Sequence, residues 1–259
     1  MKYLKFLALF FLLSACKSDK TNDVANSEQP TDQYLKELIE SPDQSFLNFF
    51  DSFMWTEEFQ RARTNFPIQY DGKTYSKEEW QYLPFTSKVP YEVVIFNDTL
   101  KYNDITLDKN RIVLSIFDFD SEHIRNFTFE NKEKRWFLSQ MKTIEANKHI
   151  DYEFIDFITQ FSKDSLFQME HIQFPLIEIS LEEIDSDFEE IQRNISIADW
   201  RYIPILIGEK EIQLFPNKDN KEYKTILYRG TDSGMTIIYE FRKIDSIWKL
   251  VRVLDYSNL

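Results

Sequence analysis

Glycine, histidine and cysteine are scarce in this 259-residue chain, which contains four, three and one of them. Four scattered glycines cannot supply either glycine-rich phosphate-binding fingerprint, so we expect no nucleotide cofactor. No histidine pair has the helical spacing of zinc ligands, and no Gly-x-Ser-x-Gly motif is present. The sequence therefore predicts no cofactor, no metal and no serine hydrolase, and we expect each histidine to lie at the surface or at an edge.

A short apolar run opens the sequence "MKYLKFLALFFLLSAC", in which two lysines precede eight apolar residues, 6–13. This pattern is typical of an export signal. At about 1.5 Å per residue the run covers about 12 Å, well short of the roughly 30 Å that a spanning helix must cross. "LSAC" resembles the bacterial lipobox, which implies a signal peptide over residues 1–16 and lipid attachment at Cys16. The alternative is an ordinary secretory signal in which the cysteine is incidental.

Residues 17–33 are polar and have no periodic pattern, so they predict a flexible tether. The whole chain carries a net charge of −13, and loss of the signal would remove two lysines. Such a surface repels polyphosphate, so we expect no nucleic-acid partner, and attachment to a membrane would depend on the N-terminal lipid. We therefore expect an exported protein anchored in the bacterial outer membrane or cell envelope. Periplasmic and surface exposure both remain open.

The sequence repeats itself. Residues 46–68 align with 154–176 at a constant offset of 108 and share seven identities in 23 positions. Two later blocks match in the same order, "SKEEWQYLP" with "SIADWRYIP" and "FTFENKEKRWFL" with "YEFRKIDSIWKL". Three matched blocks in one order predict an internal duplication, with a first repeat over 34–148 and a second over 149–259.

Each repeat begins with helical patterns and ends with strand-like ones. Phe46, Phe49, Phe50 and Phe53 have i, i+3, i+4, i+7 spacing, which predicts one buried helical stripe, and the second repeat has the same stripe. A further short helix is expected at "SKEEW", where a capping box begins. Later segments such as "RIVLSIF" and "MTIIYEF" alternate as strands and are separated by turn residues. Helices followed by antiparallel strands indicate an α+β fold.

At about 105 residues per copy, this element order resembles the nuclear transport factor 2-like, or cystatin-like, fold. With its lipobox, acidic tether and aromatic repeats, the chain also resembles a Bacteroidota lipoprotein family known as domain of unknown function 4348. The resemblance implies two tandem repeats, each with N-terminal helices packed on a curved antiparallel sheet. It implies no catalytic residues, because no catalytic motif defines that family.

The last strand segment, "SIWKLVRV", is apolar on both faces. Ile247, Val251 and Val253 would share one face, and Trp248 and Leu250 the other. A sheet with one solvated face should alternate more cleanly. We therefore hypothesise that the sheets of the two repeats pack against each other as a pseudo-dimer within the chain.

Two acidic segments invite a chemical interpretation. Asp118, Asp120 and Glu122 with His123 could bind a hard cation or perform acid–base chemistry, but their place in a predicted hairpin turn favours a structural role. In the second repeat, the inserted segment 177–194 has apolar residues at helical spacing. It predicts an amphipathic helix with a solvated acidic face. The apolar residues of that helix would be Leu181, Ile184, Phe188 and Ile191.

Both repeats contain Trp-x-Tyr-[Leu/Ile]-Pro, and its aromatic rings are the candidate pocket residues: Trp80 and Tyr82, and Trp200 and Tyr202. Packing in the core is the alternative role. Asp51 and Asp156 lie on the first helices, yet no spacing specifies the aspartate–tyrosine pair of ketosteroid isomerase relatives. We therefore expect a non-catalytic binding protein for a protein, peptide or small ligand. The alternative is a small-substrate hydrolase or isomerase with its active site in the cavity of one repeat.

Overall fold

The computed structural model describes residues 32–85, 91–96, 110–184, 187–206, 208–215, 221–230 and 233–257. The predicted signal peptide, Cys16 and nearly all of the predicted tether lie outside these residues. The first helix begins at Asp32, one position before the expected end of the tether at residue 33. Among the described residues, no helix has the length and apolar character needed to cross a membrane.

Helices precede strands in both halves of the chain. The first half contains α1 (Asp32–Glu40), α2 (Phe46–Trp55), α3 (Glu57–Ala62), β1 (Ile68–Tyr70), β2 (Lys73–Tyr75), β3 (Tyr91–Phe96), β4 (Arg111–Asp118), β5 (His123–Lys132) and β6 (Arg135–Glu145). After a 3-10 turn at Ala146–Lys148, the second half contains α4 (Tyr152–Lys163), α5 (Ser165–Glu170), β7 (Ile172–Ile184), β8 (Asp187–Ile195), β9 (Glu211–Phe215), β10 (Tyr223–Gly230), β11 (Thr236–Ile244) and β12 (Ile247–Asp255).

Ten of the twelve strands in the described part of the chain form one sheet, in the order β6-β5-β4-β9-β3-β10-β11-β12-β7-β8. Two strands at its centre are exchanged between the halves of the chain. β9 of the second half lies between β4 and β3 of the first half, and β3 lies between β9 and β10 of the second half. The β3–β9 and β12–β7 pairs are parallel, and the other pairs are antiparallel. The described part of the sheet is therefore mixed, whereas the sequence predicted antiparallel sheets.

The sheet has a helical layer on each face. One core lies under α2 and the other under α4. The central strand β3 contributes to both, because Val94 and Phe96 enter the α2 core while Val93 and Ile95 enter the α4 core. A strand buried on both faces favours apolar residues, which explains the apolar run of residues 93–96.

Stripes of aromatic side chains pack α2 and α4 against the sheet, as their spacing predicted. Ser45 caps α2 by accepting a hydrogen bond from the backbone N–H of Asn48. Phe53 then meets Phe129 of β5 edge-on, at 5.3 Å between ring centroids. On the opposite face, Phe161 of α4 meets Phe241 of β11 at the same distance. Edge-to-face pairs of this kind add to the hydrophobic gain of burial.

The hypothesis of two face-to-face sheets is wrong, because the strands of both halves lie edge to edge in one sheet. The apolar faces are covered by helices instead. The predicted facing within β12 is also wrong in part, because Leu250 and Arg252 pair with consecutive residues of β11, Phe241 and Glu240. This bulge adds one residue and turns Val253 into the α4 core with Trp248 and Leu250, while Ile247 remains exposed.

The inserted segment 177–194 is a β-hairpin and not the predicted amphipathic helix. It belongs to β7 and β8, which pair antiparallel, and β7 also pairs with β12. The helical spacing of Leu181, Phe188 and Ile191 competes with the alternation of Ile177, Ile179 and Leu181. Pairing with the edge of a preformed sheet decides for the strand, since backbone hydrogen bonds then reward the extended form.

The expected helix at "SKEEW" is only a turn, although its capping box forms. Ser76 N–H donates to Oε2 of Glu79, and Glu79 N–H donates to Oγ of Ser76. The chain becomes extended after α3 and α5, at β1 and β7, and the peptide bonds before Pro67 and Pro175 are both cis.

Candidate functional site

A buried glutamine explains why the Trp-x-Tyr-[Leu/Ile]-Pro motif occurs twice. Gln60 of α3 donates to the carbonyl oxygens of Phe53 and Leu83 and accepts from Leu83 N–H. Gln168 of α5 makes the corresponding bonds to Phe161 and Ile203. Both amides are completely buried. Each glutamine therefore fastens its motif to the end of the preceding helix.

The four candidate pocket residues take part in the same attachment. The Tyr82 hydroxyl donates to the carbonyl of Met54 near the end of α2, and burial raises the pKa of Tyr82. The Tyr202 hydroxyl donates to the carbonyl of Ser162 near the end of α4. Both contacts satisfy carbonyl groups that the last turn of a helix leaves without intrahelical partners.

The two tryptophans pack between these segments and the cores. Trp80 is buried and contacts the Phe66 ring edge-on at 5.4 Å. Trp200 is half-buried, and its Nε1–H donates to Oε1 of Gln168 at 3.2 Å. None of the four residues lines the cavities described below. Their contacts are those of residues that hold the fold together.

The main cavity lies between α2 and the centre of the sheet, and we call it the α2 cavity. It has a volume of about 390 Å³ and is partly open. Its walls are mostly apolar, and its polar residues come from α2, β3, β9 and β10. The apolar lining residues are Leu47, Phe50, Met54, Val94, Phe96, Phe215 and Leu227, and the polar ones are Asn48, Asp51, Glu92, Gln213 and Arg229.

Glu92 is the buried charge of the α2 cavity, with 8% of its surface exposed. Its Oε2 accepts a hydrogen bond from Nη2 of Arg229 on the adjacent strand, at 2.7 Å. Its Oε1 is buried and has no hydrogen-bond partner among the described residues. Asp51, by contrast, is an exposed residue of α2 at the same cavity. Glu92 therefore contributes to the cavity wall a carboxylate of which one buried oxygen has no hydrogen bond among the described residues.

A second depression lies along the corresponding flank of α4, on the opposite face of the sheet, and we call it the α4 groove. Its volume is about 380 Å³, and Ile155 and Thr159 occupy the places that Leu47 and Asp51 hold beside the α2 cavity. Its ionisable lining residues are exposed, among them Asp156. The two cavities are therefore chemically different, since only the α2 cavity has a buried carboxylate among the described residues.

The acidic segment at Asp118 forms the hairpin turn between β4 and β5. Oδ1 of Asp118 accepts from the backbone N–H groups of Asp120 and Ser121, at 2.8 and 3.1 Å. Although partial burial opposes the effect, these hydrogen bonds lower the pKa of Asp118. His123 binds the carbonyl of Ser121. Among the described residues, no group of three or more metal-ligating side chains could hold a metal ion.

A polar network near α4 contains a serine and a histidine in contact, which the sequence did not indicate. His149 Nε2 lies 3.2 Å from Oγ of Ser115, and Oγ donates to Oδ1 of Asn126 at 2.6 Å. Nδ1 of His149 accepts from the backbone N–H of Asp151. Asp151 in turn forms a buried ion pair with Lys224 at 2.6 Å. The expectation of a surface or edge position is therefore wrong for His149, which is half-buried in this network.

This hydrogen-bond pattern does not prepare the serine for nucleophilic attack. Because Nδ1 of His149 accepts a hydrogen bond, the proton of the neutral imidazole is on Nε2, which donates a hydrogen bond to Oγ of Ser115. A general base needs the opposite tautomer, with Nε2 free to accept the serine proton. Burial lowers the pKa of His149, which keeps the imidazole neutral. The network is suited to joining β4 to the start of α4.

Sequence reasoning missed Glu92 and Arg229, although a signal for Glu92 was present. "YEVVIF" places one carboxylate within an otherwise apolar strand, and a buried charge needs a partner. Arg229 could not have been assigned as that partner, because the contact joins strands from the two halves of the chain.

Comparison with known proteins supports the fold and the family. None of the curated proteins compared with this chain matches it. A crystal structure of a protein described as NTF2-like from Bacteroides fragilis matches with a TM-score of 0.62 and 20% sequence identity, covering 83% of this chain and 98% of that one. The likeness shows an NTF2-like fold with helices on a large mixed sheet. A family model described as "Domain of unknown function (DUF4348)" matches residues 23–255. The chain therefore belongs to the DUF4348 family.

Proposed function

We propose that this protein is an exported, lipid-anchored envelope protein that binds a small ligand in the α2 cavity without transforming it. The observation that carries the proposal is the cavity itself, which combines apolar walls with a buried carboxylate. Ligand sites are typically concave, mainly apolar and furnished with a few polar groups, and volumes of roughly 300–1,000 Å³ are common. The α2 cavity has each of these properties.

Binding fits the described lining better than catalysis does. Proton transfer usually needs a second group that can donate or accept a proton, or stabilise the developing charge. Apart from Glu92 and the exposed Asp51, the described lining residues include no carboxylate, imidazole, hydroxyl or thiol. Glu92 is also held at one oxygen by Arg229. A hydrolase or isomerase is therefore the less supported alternative.

Corresponding contacts in the two halves of the chain support an internal duplication. Gln60 and Gln168 lie 108 positions apart and make corresponding contacts to α2 and α4, and so do Tyr82 and Tyr202, which lie 120 positions apart. We propose that repeats over 34–148 and 149–259 arose by duplication and that one kept a buried polar cavity. The exchanged strands would then unite the repeats in one sheet.

Anchoring at Cys16 would keep the cavity at a membrane surface while the tether lets the body reorient. The test is the mass of the N-terminal peptide from the mature protein. An acylated Cys16 is expected, and an unmodified N-terminus at another residue would contradict the proposal. Replacement Cys16→Ser should release the protein from the membrane fraction.

The binding proposal is tested with 1-aminoanthracene, a rigid aromatic probe that is neutral near neutral pH and fluoresces more strongly in apolar surroundings. We expect saturable binding of one probe per chain. Leu47→Trp, which adds bulk at a half-buried wall of the cavity, should weaken binding at least about tenfold, the equivalent of about 1.4 kcal/mol.

Thr159→Trp is the matched control, because it adds a larger side chain to the α4 groove. It should leave the affinity unchanged. No saturable binding in the unsubstituted protein would refute a ligand site. Loss of binding in Thr159→Trp but not in Leu47→Trp would place the site in the α4 groove and contradict the proposal.

A further inference from the structure

We propose that the α2 cavity selects small ligands in which a protonated amine is attached to an apolar body, and that the ammonium group donates a hydrogen bond to Oε1 of Glu92. The inference rests on the proposed function and adds the chemical class of the ligand. It assigns Glu92 as the residue that determines specificity.

One carboxylate oxygen of Glu92, Oε1, has no hydrogen-bond donor among the described residues. A buried carboxylate oxygen can accept hydrogen bonds but cannot donate them. Arg229 binds Oε2, whereas Oε1 is buried without a partner among the described residues. Leaving a buried acceptor without a donor is unfavourable. A ligand that brings an N–H donor to this position removes that cost, and a ligand without a donor does not.

The described lining of the α2 cavity has more negative than positive side chains. The described lining residues include two carboxylates, from Glu92 and Asp51, and one guanidinium, from Arg229. These described residues therefore have an excess of one negative charge, on a chain whose overall charge is also negative. A cation gains from this field and an anion is repelled by it. Hydrogen bonds between charged partners are also stronger than those of a neutral alcohol.

The walls of the α2 cavity are mostly apolar. Apolar side chains from α2, β3, β9 and β10 surround the polar residues, and Phe50, Phe96 and Phe215 contribute rings. These walls suit a hydrocarbon or aromatic body and leave a doubly charged polyamine poorly solvated. A volume of about 390 Å³ accommodates a ligand the size of an aromatic monoamine.

The experiment compares three probes with the same phenyl body and similar length: 2-phenylethylamine, 2-phenylethanol and 3-phenylpropionate. Each competes with 1-aminoanthracene for the full-length mature protein at near-neutral pH, where the amine is protonated. We expect the amine to bind at least about tenfold more tightly than the alcohol. The carboxylate should compete least.

Glu92→Gln tests the assigned residue, because it keeps the size of the side chain and removes its charge. The ratio of amine to alcohol affinity should fall to near one. Glu211→Gln is the matched control, since Glu211 on the neighbouring strand β9 also pairs with an arginine, Arg125 at 2.6 Å, but does not line the cavity. This variant should keep the ratio of the unsubstituted protein. Far-UV circular dichroism checks that both variants are folded.

Asp51→Asn provides a second test that does not depend on a buried substitution. Asp51 is exposed, so the variant should fold, and loss of its charge should weaken binding of the amine about two- to threefold without affecting the alcohol. A preference for the amine that Asp51→Asn reduces and high salt weakens supports the inference even if Glu92→Gln does not fold.

The outcomes separate the two proposals. If 1-aminoanthracene binds and the alcohol or carboxylate competes as well as the amine, the ligand class is refuted while the binding function stands. If Glu92→Gln folds and keeps the preference for the amine, the assignment of Glu92 is refuted. If neither the fluorescent probe nor any of the three competitors binds, the proposed function fails and this inference fails with it.

Discussion

Replacing Arg63 should destabilise the protein far more than replacing Arg61, although both arginines belong to the α3 region and both bind a carboxylate. The side chain of Arg63 is 1% exposed and pairs with Asp43 at 3.0 Å. The side chain of Arg61 is 40% exposed and pairs with Glu57 at 2.8 Å. The comparison therefore isolates the effect of burial on an ion pair.

The Arg63 guanidinium satisfies many groups at once. It donates to both oxygens of Asp43 and to the carbonyl oxygens of Ile39, Ser41 and Trp136, and its Nη2 also lies 3.4 Å from a carbonyl of α1. Asp43 also accepts from Trp136 N–H. Arg63→Met would leave a partly desolvated carboxylate and several carbonyl groups without donors. Removing one partner from a buried pair typically costs about 3–5 kcal/mol, whereas an exposed pair contributes about 0–1 kcal/mol.

Urea unfolding, followed by tryptophan fluorescence and circular dichroism, measures the difference. With a slope of about 2–3 kcal/mol per molar urea, Arg63→Met should lower the midpoint by about 1–2 M. Arg61→Met should lower it by less than about 0.5 M. Equal shifts for the two variants would refute the assignment of a structural ion pair to Arg63.

The pH dependence of the same variant gives an independent check. Burial raises the pKa of Asp43, and the Trp136 N–H and Arg63 oppose that rise. Without Arg63 the pKa of the Asp43 carboxyl should rise further, so the folded variant binds a proton at a pH where the unfolded chain does not. The destabilisation should therefore diminish as the pH falls toward about 4. A destabilisation that is constant from neutral pH to pH 4 would contradict this account.

Two further predictions concern polar groups in the second half of the chain. Because burial lowers the pKa of His149, the contribution of this residue to stability is present above the unfolded pKa of about 6.5 and is lost as the pH falls through the folded pKa. His149→Gln should therefore flatten the loss of stability between about pH 7.5 and pH 5, whereas His123→Gln should not. The urea midpoint at each pH tests this, and equal profiles for the two variants would contradict it. Gln168→Leu should lower the free energy of unfolding by about 1–3 kcal/mol, because it leaves buried backbone groups unpaired, while the exposed Gln69→Leu should change it by less than about 0.5 kcal/mol. Similar midpoints for these variants would show that the buried amide is dispensable.

Local patterns in the sequence identified the elements that depend on local residues. The aromatic spacing of α2 and α4 was sufficient, because a stripe of rings can be buried only by a helix that faces a core. Turn residues correctly separated β4 from β5. The Asp118 segment was predicted to turn because aspartate accepts hydrogen bonds from following backbone N–H groups, and these are the bonds that form.

Elements that depend on distant residues were not predictable from these patterns. The segment 177–194 fits a helix by periodicity, yet it becomes a hairpin because β7 extends the sheet beside β12. The position of Val253 depends on a one-residue shift opposite β11, which no pattern within β12 indicates. The exchange of β3 and β9 likewise depends on strand pairings between the two halves, and no pattern within either half indicates these pairings.

The candidate site illustrates the same distinction. The aromatic motif around Trp80 and Tyr82 was visible because it recurs, and recurrence selected residues that hold each half together. Residues of a specific site need not recur. Glu92 has its arginine partner on β10, so the feature that makes the α2 cavity unusual depends on contacts across the exchanged strands.

The central position of β3 also constrains the order in which the molecule can assemble. During synthesis β3 leaves the ribosome long before β9 and β10, which are its neighbours on either side. Until they arrive, an apolar strand has two unpaired edges, the condition that favours pairing with other chains. The first half therefore has to wait, or be protected, until nearly the whole sequence is available. Completion of the sheet and formation of the α2 cavity, whose walls include β3, β9 and β10, then become a single late event.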